Sequence, residues 1–444
     1  MSDSMIEFKS QVPLIDAVDV LIIGGGPAGL AAASAASRQG SRVFLAETAS
    51  CFGGLGTAGL VPAFMQFTDG VHFLAGGIGR EIFDRLAKMG NKTINPYSIQ
   101  VEVLKRLYDE MVIEDGVQFR FESRLIGIEQ TDGRVTHGIF AGKTDWFAVA
   151  AKVVIDATGD ALVCHMAGSP CEKGDDEGRM MAGTLCSIWS GIDWSRVKRP
   201  DNREIERAFA DGVFAVEDRH LPGMWHIGQT LGGGNIGHSF DVDGTDEVSL
   251  TQALIHGRKL LTEYERYYKK YLTGYEDMEL VVSASMMGIR ETRRIKGDYV
   301  LNLQDFYDRA VFADEIGRYA YPVDIHASKS DRGSFDQFLK EHTELRYKTG
   351  ESYGIPYRCL IPTGLENVLT AGRCVSTDRY MQSSLRVMPG CYITGQAAGV
   401  AAAMAASVRA DDQASQGDVR AVDVAELQRR LLSMGGYLPN SQEG

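Results

Sequence analysis

The sequence predicts an α/β fold: a parallel βαβ unit followed by a small β-meander, with an α+β lobe inserted before the chain returns to close the first domain. Three observations carry this prediction. The short, β-branched apolar run Val18 to Ile23 is broken by glycines between Gly24 and Gly29 and followed by the small-residue stretch LAAASAASRQG. After Gly116 the spacing of apolar residues changes from helical to that of strands. A second small-residue stretch, GCYITGQAAGVAAAMAASV, directly follows Pro389. Spacing and punctuation of this kind separate strand, turn and helix before any tertiary contact is known.

In chain order, Val18 to Ile23 reads as a strand, Gly24 to Gly29 as a tight turn, and the alanine-rich stretch as a helix stopping at Gly40. SRVFLAE is then a second strand ending on Glu47. Val103, Leu104, Leu107, Met111 and Val112 recur at helical spacing between Val101 and Asp115. VQFRFES, LIGIEQ, RVTHGIFA and AKVVIDATGD follow as a strand, a meander and a final buried strand. Residues 165–350 mix helices, such as Thr251 to Leu272, with Gly-rich and aromatic loops. Pro389 opens the next helix, and VAELQRRLLSM forms a short last one. The expected domains are 16–165 with 351–410, an inserted lobe at 166–350, and a tail at 411–444.

Composition narrows the function classes. The 444 residues are 44% hydrophobic and 24% charged, enough for a large core with a second lobe. Forty-six Lys plus Arg against 59 Asp plus Glu give a formal charge of -13, the wrong sign for a nucleic-acid partner. The first residues carry Asp3, Glu7 and Asp16 and no apolar core of a secretory signal, and no apolar run reaches the roughly 18 residues of a membrane span. Seven cysteines without a CxxC pair argue against a disulfide framework and a compact metal site, so no metal is expected and a reducing cytoplasm is the expected home.

Gly24, Gly26 and Gly29 form a GxGxxG placed between a strand and a helix. The first glycine permits the turn, the second lets backbone approach a pyrophosphate, and the third lets helix and strand pack closely. Pro27 and Ala28 open the helix whose free N–H groups would meet the phosphates. Glu47, about 20 residues on, stands where a carboxylate accepts from ribose hydroxyls. The alternative, a βα turn that binds nothing, is the weaker reading given this context. The turn alone does not choose between NAD and FAD.

Three further segments make that choice by resemblance. CFGGLGTAGLV, with Gly53 and Gly54, is similar to the glycine-pair segment of glutathione-reductase-like flavoproteins. The strand end Ala157 to Asp160, including Gly159, looks like that family's second signature. NVLTAGRCVSTDRYMQSSLRVMPGCYITGQAAGVAAA, with Gly372, Arg373, Gly390 and Cys391, resembles the flavin-binding segment of FAD-dependent oxidoreductases distantly related to fumarate reductase flavoproteins and the heterodisulfide reductase flavin subunit. GIRETRRIKGDYVL, YPVDIH and YGIPYRCLIP also look like stretches of this family. The resemblance spans about residues 18 to 405 and implies a Rossmann-like FAD-binding domain and these residues as its cofactor contacts. With no histidine beside Gly53–Gly54, the FAD is expected to be non-covalent. A helix beginning at Pro389–Gly390 would present its positive end to the charge of reduced flavin.

Chemistry is expected from the inserted lobe and its return. Arg290, Arg293 and Arg294 flank Glu291 and Thr292; on a helix Arg290 and Arg294 would share a face, one orienting a carboxylate or oxyanion while another pairs with Glu291. A salt-bridged strip is an equally weighted alternative. His326 follows Asp324 by two residues, which in a strand places both on one face and suggests a carboxylate-oriented general base. Tyr357 and Arg358, with Tyr380 and Arg386, could complete an anion pocket by resemblance, and Arg373 could serve FAD phosphate instead. Cys51 has no paired cysteine for a dithiol relay. Cys391 is either a reactive thiol near flavin or, the favoured reading, a small residue packed under the ring. Gly232 to Gly234 lack a nucleotide context and read as a mobile loop or tight packing; His226 and His238 could line the pocket.

The residues thus point to an FAD-dependent oxidoreductase, a dehydrogenase passing hydride from a small organic substrate to flavin N5, with Arg290 and Arg358 orienting it and His326 accepting the proton. Two other readings fit the same motifs: a redox-neutral hydratase or isomerase retaining FAD, and a flavin electron-transfer subunit. The electron acceptor is open, a homo-oligomer is compatible, and neither nucleic acid nor membrane is an expected partner.

Overall fold

The computed structural model describes residues 8–90, 95–198, 202–219, 223–408 and 416–441. Asp3, Glu7 and the start of the polar stretch at 409–415 lie outside them. The first unit is β1 (Leu14–Ile23), α1 (Pro27–Arg38) and β2 (Val43–Ala46). Next come α2 (Ile78–Lys88), α3 (Val101–Glu114), β3 (Gln118–Arg120), β4 (Arg124–Thr131), β5 (Arg134–Ala141), β6 (Trp146–Asp156) and α4 (Leu162–Met166). The sheet runs β3-β2-β1-β6, all parallel, and β5 and β4 continue it antiparallel. Register explains this double use of β6: Ala150 to Trp146 pair with β5, while Val154 to Asp156 pair with a strand from the far end of the chain. The stretches Val20 to Ile23 of β1, Val43 to Ala46 of β2 and Val153 to Ile155 of β6 are buried and wholly apolar, as the covered part of a parallel sheet requires.

Between these parts lie β7 (Cys171–Lys173), β8 (Ser187–Ser190), α5 (Asn202–Ala210), β9 (Gly223–His226), β10 (Gly232–Asn235), α6 (Glu247–Tyr271), β11 (Glu279–Ser283) and β12 (Arg293–Ile295). A separate sheet has the order β11-β8-β10-β9. Gly232 to Gly234 are therefore a central strand, not a mobile loop. A Cβ on Gly233 would stand 2.4 Å from Pro62 Cβ, and one on Gly234 would stand 2.8 Å from Ser187 Oγ, so the tight-packing alternative holds. The arginine-rich segment is also not helical, because Arg293 to Ile295 pair antiparallel with β7. Strand pairing across more than a hundred residues outweighs local spacing there.

The return consists of α7 (Leu303–Asp308), β13 (Glu315–Tyr319), α8 (Arg332–Glu344), β14 (Tyr353–Pro356), β15 (Val368–Thr370), α9 (Arg379–Leu385), α10 (Met388–Ala406) and α11 (Val424–Ser433). β15 is the distant strand that joins β6 in parallel. Helix α10 is buried nearly all round and packs on α1. Gly395 and Gly399 make that approach close: a Cβ at either would meet the carbonyl oxygen of Ala28 or Ala32 at 2.2 or 2.3 Å. The start of α10 is thereby locked beside the start of α1. Among the described residues no helix is long and apolar enough to cross a membrane.

Candidate functional site

At the C-terminal ends of β1 and β6 four glycine-bearing turns converge. Gly24 has φ +97°, and a Cβ there would stand 2.6 Å from Ala157 O; a Cβ on Gly29 would stand 1.8 Å from Gly24 O. These two glycines are required by the turn itself. Gly26 differs, since nothing lies within 4 Å of where its Cβ would be. The amide of Gly53 (φ +102°) donates to Gly25 O at 2.8 Å, which lays the Gly53–Gly54 turn alongside the first turn. Gly372 reaches Ala28 and Cys391 from the other side, where a Cβ would contact both at 3.0 and 3.6 Å.

Open space at Gly26, beside the uncapped N-termini of α1 and α10, suits a dinucleotide pyrophosphate and a flavin. Gly24, Gly26, Pro27, Ala28, Gly29, Gly53, Gly54, Ala157, Gly159, Gly372, Gly390 and Cys391 all lie on these turns and helix starts. Glu47 is buried, and its two carboxylate oxygens accept from the amides of Gly25 and Ala49, each at 2.6 Å. Burial raises its pKa, against the lowering by these amides. The spare lone pairs are what remain for a ribose.

Arg373 departs from expectation. Its Nε donates to Gly159 O at 2.9 Å, its Nη1 to Ile289 O, and its Nη2 to Asp160 Oδ1 at 2.6 Å. Asp160 also accepts from Thr292 Oγ1 at 2.8 Å. Arg373 and Asp160 therefore tie the ATGD turn to the Ile289–Thr292 segment and pair with each other, so all three guanidinium nitrogens are engaged by protein acceptors. Cys391 is buried, donates to Arg386 O at 3.2 Å, and burial pushes its thiol up to about 12, a packed residue rather than a reactive thiolate.

The polar groups of the lobe meet next to the start of α10. Arg290 is buried; its Nη1 donates to Ala182 O at 2.7 Å and Thr184 Oγ1 at 2.9 Å, and its Nη2 to Asn235 Oδ1 at 3.4 Å. Among the described residues no carboxylate lies within 4.0 Å of this guanidinium. Burial, then the charge of Arg386, lowers its pKa to about 10, so it stays a cation at neutral pH. The expected pairing with Glu291 falls to Arg294 at 2.6 Å and Arg379 at 3.1 Å. Gln382 donates to Arg290 O, while its own Oε1, like Arg386 Nε, is buried without a partner.

Asp324 and His326 lie in an irregular segment rather than a strand, yet Nε2 of the histidine still reaches Asp324 Oδ1 at 3.4 Å. Asp324 also holds Arg386 Nη2 at 3.1 Å. The other nitrogen of His326 faces His238 Nε2 at 3.0 Å, and His238 Nδ1 faces Asp218 Oδ2 at 3.0 Å. Both nitrogens of His326 are therefore engaged, and a direct proton acceptor needs one pointing at substrate. Sequence reasoning missed Asp218, Thr184 and Asn235, which come to the site from distant strands and loops and carry no local signal.

Two expected catalytic residues stand elsewhere. Arg358 grips Asp314 with Nε at 2.9 Å and Nη2 at 3.1 Å, lies over the Tyr299 ring, and is half exposed. Tyr357 is buried and donates to Val419 O at 2.8 Å. Adjacent positions in a tight helical turn send these side chains to different structural partners. Tyr380 is only partly buried, and His226 stacks on Trp194 with ring centres 4.3 Å apart.

Residues 19–431 match the family described as FAD dependent oxidoreductase. A curated relative, an uncharacterized protein in the nifH2 5' region of Methanosarcina barkeri, is 28% identical over 183 residues, 37% of this chain and 96% of that protein. Among solved structures, a geranylgeranyl bacteriochlorophyll reductase-like protein of Thermoplasma acidophilum is 11% identical, with 95% of this chain and 84% of that one covered and a TM-score of 0.44. The p-nitrophenol 4-monooxygenase of Pseudomonas putida is 14% identical, with coverages of 95% and 89% and a TM-score of 0.42. Likeness at this level says nothing of substrate. The match from residue 19 to 431 takes in all four glycine turns and the lobe between them, and the chain belongs to the FAD dependent oxidoreductase family.

Proposed function

We propose that this enzyme is a dehydrogenase that oxidises a small molecule bearing an anionic or electron-rich oxygen, with non-covalent FAD as hydride acceptor at N5. The observation that carries the reading is Arg290, a buried guanidinium held only by neutral acceptors. A buried cation without a carboxylate partner favours an anionic group brought by the substrate. Bound FAD supplies the two-electron oxidising chemistry. The chain supplies the rest: the glycine turns hold the dinucleotide, Arg290 orients and polarises the substrate oxygen, Asp324 keeps Arg386 beside it, and the proton that the oxidised substrate gives up passes to solvent. His326 acts through Asp324 and His238 as a positioning residue. The distant kinship with fumarate reductase flavoproteins and a cytoplasmic location belong to the same proposal; all seven cysteines are free thiols, as a reducing compartment maintains.

The test is an anaerobic panel of hydroxy acids, sugars, amines and enoates, scored by bleaching of the oxidised flavin. A hydroxy acid or another anion should bleach it. Arg290→Met should lower the reduction rate by about 100-fold or more, as loss of a preorganised charge does. Arg358→Ala should leave it unchanged. Turnover with persistent yellow colour would replace dehydrogenation by redox-neutral chemistry, and an Arg290→Met enzyme reduced at the native rate would remove the arginine from the reaction.

A further inference from the structure

Four buried side chains form an unbroken row, Asp218–His238–His326–Asp324, of which local sequence announces only the Asp324–His326 end. Its outer end adjoins a narrow cleft lined by Arg219, Lys329 and Phe338, and its inner end reaches Arg386 at the start of α10. We propose that His238 and His326 hold one shared proton, so that the pair carries a single positive charge and His238 with Asp218 is a positioning device for the substrate site.

Counting hydrogens leads there. Of the four ring nitrogens, His238 Nδ1 and His326 Nε2 each face a carboxylate, and a nitrogen in that position keeps its hydrogen. The other two face each other at 3.0 Å. Two N–H groups cannot point at one another at that distance, and two bare lone pairs would repel, so one hydrogen lies between them. Three hydrogens on two imidazoles make one imidazolium. Moving the middle hydrogen from His238 to His326 breaks one N–H bond and forms another, and carries the charge from the Asp218 side to the Asp324 side without any net change.

The surroundings fit a single charge. Asp218 is fixed by a second bond, from the His238 amide at 3.1 Å. Asp324 faces Arg386, the Tyr321 hydroxyl at 3.3 Å and His342 of α8 at 3.7 Å. Burial acts to raise the Asp324 carboxyl, but His326, Arg386 and His342 hold it well below the usual range, so it is ionised. Arg290 and Tyr264 of α6 also feel this row, the arginine through Asp324 and Asp218 and the tyrosine through Asp218. His326 thus supports the anion preference through charge rather than by touching substrate.

This inference rests on the proposed substrate reading for its use, but not for its test. The intact FAD-loaded chain, labelled with 15N-histidine, can be titrated by long-range 1H–15N correlation, with His238→Asn and His326→Asn assigning the two rings among nine histidines. The expected result is that both rings show shifts between neutral and doubly protonated values and move together through the titration, as coupled groups do. His238→Asn should then turn His326 into a ring that titrates in one independent step, its midpoint moved by about one pH unit or more. If His238→Asn does not fold, Asp218→Asn is the second variant, expected to shift both rings. Two neutral rings in the wild type, or a His326 titration unmoved by either variant, would overturn the shared proton. A flavin that no anion bleaches would overturn the substrate reading while leaving this measurement intact.

Discussion

At Gly26 and Gly24, two residues of one motif do opposite jobs, and substitution separates them. Gly26 has ordinary backbone, φ −67°, and no protein atom within 4 Å of a Cβ position, so the apoprotein accommodates a side chain there. Gly26→Val should leave the fold and its thermal midpoint nearly unchanged, within about 0.5 kcal/mol, while flavin content on purification falls to a small fraction. Gly24→Ala meets a positive φ and a carbonyl oxygen at 2.6 Å, and should cost roughly 2 kcal/mol or more before any flavin is added. A melt of each apoprotein and a visible spectrum of each holoprotein check both statements. A Gly26→Val protein that keeps its flavin would mean that the phosphates do not approach this glycine. The turn itself was legible in the sequence because strand, turn, helix and Glu47 lie within some thirty residues and dictate one another locally. The roles of Arg358, Tyr357 and Arg373 were not: each is decided by a partner, Asp314, Val419 or Asp160, that no local spacing specifies.

Among the elements, α10 decides whether the site exists. It is buried nearly all round, a pattern that marks a central helix, and sequence reading recovered it within two residues at its start. What the sequence could not show is its partner. Gly395 and Gly399, four apart on one face, bring α10 against Ala28 and Ala32 of α1, so the two helix starts that flank the dinucleotide turn stand together. Gly399→Leu should force the helices apart, lowering stability by about 1–3 kcal/mol, and the flavin should dissociate at a lower temperature than in the wild type. Flavin fluorescence against temperature reads the second effect and far-ultraviolet dichroism the first; loss of stability with unchanged flavin release would show that the helix pair does not position the cofactor. The arginine segment shows the converse limit. GIRETRRI has helical spacing, but β7 supplies a strand partner for Arg293 to Ile295, and the pairing wins.

Over the whole molecule, a chain of net charge -13 carries buried acids whose response to pH differs from one to the next. Buried acids pull in two directions. Burial raises Glu47 and Asp156, against the hydrogen bonds they accept, so each contributes stability as pH falls. Asp324 is the reverse. Burial pushes it up, but His326, Arg386 and His342 hold it well below its unfolded value of about 3.9. A depressed carboxyl contributes stability that is complete above the unfolded value and is lost as pH falls through the folded one. Because these trends overlap, the acid limb of the wild type alone cannot assign them, and a difference can. Asp324→Asn removes the anion while leaving Arg386 and His326 in place, so the variant should be less stable than the wild type at neutral pH. As pH drops below about 4, the unfolded wild-type chain takes up the proton while the folded carboxyl still resists it, and the gap between the two should narrow. Urea midpoints of both proteins from neutral to acid pH measure that gap; a gap that stays constant to the lowest pH would mean that Asp324 does not hold the cationic cluster together.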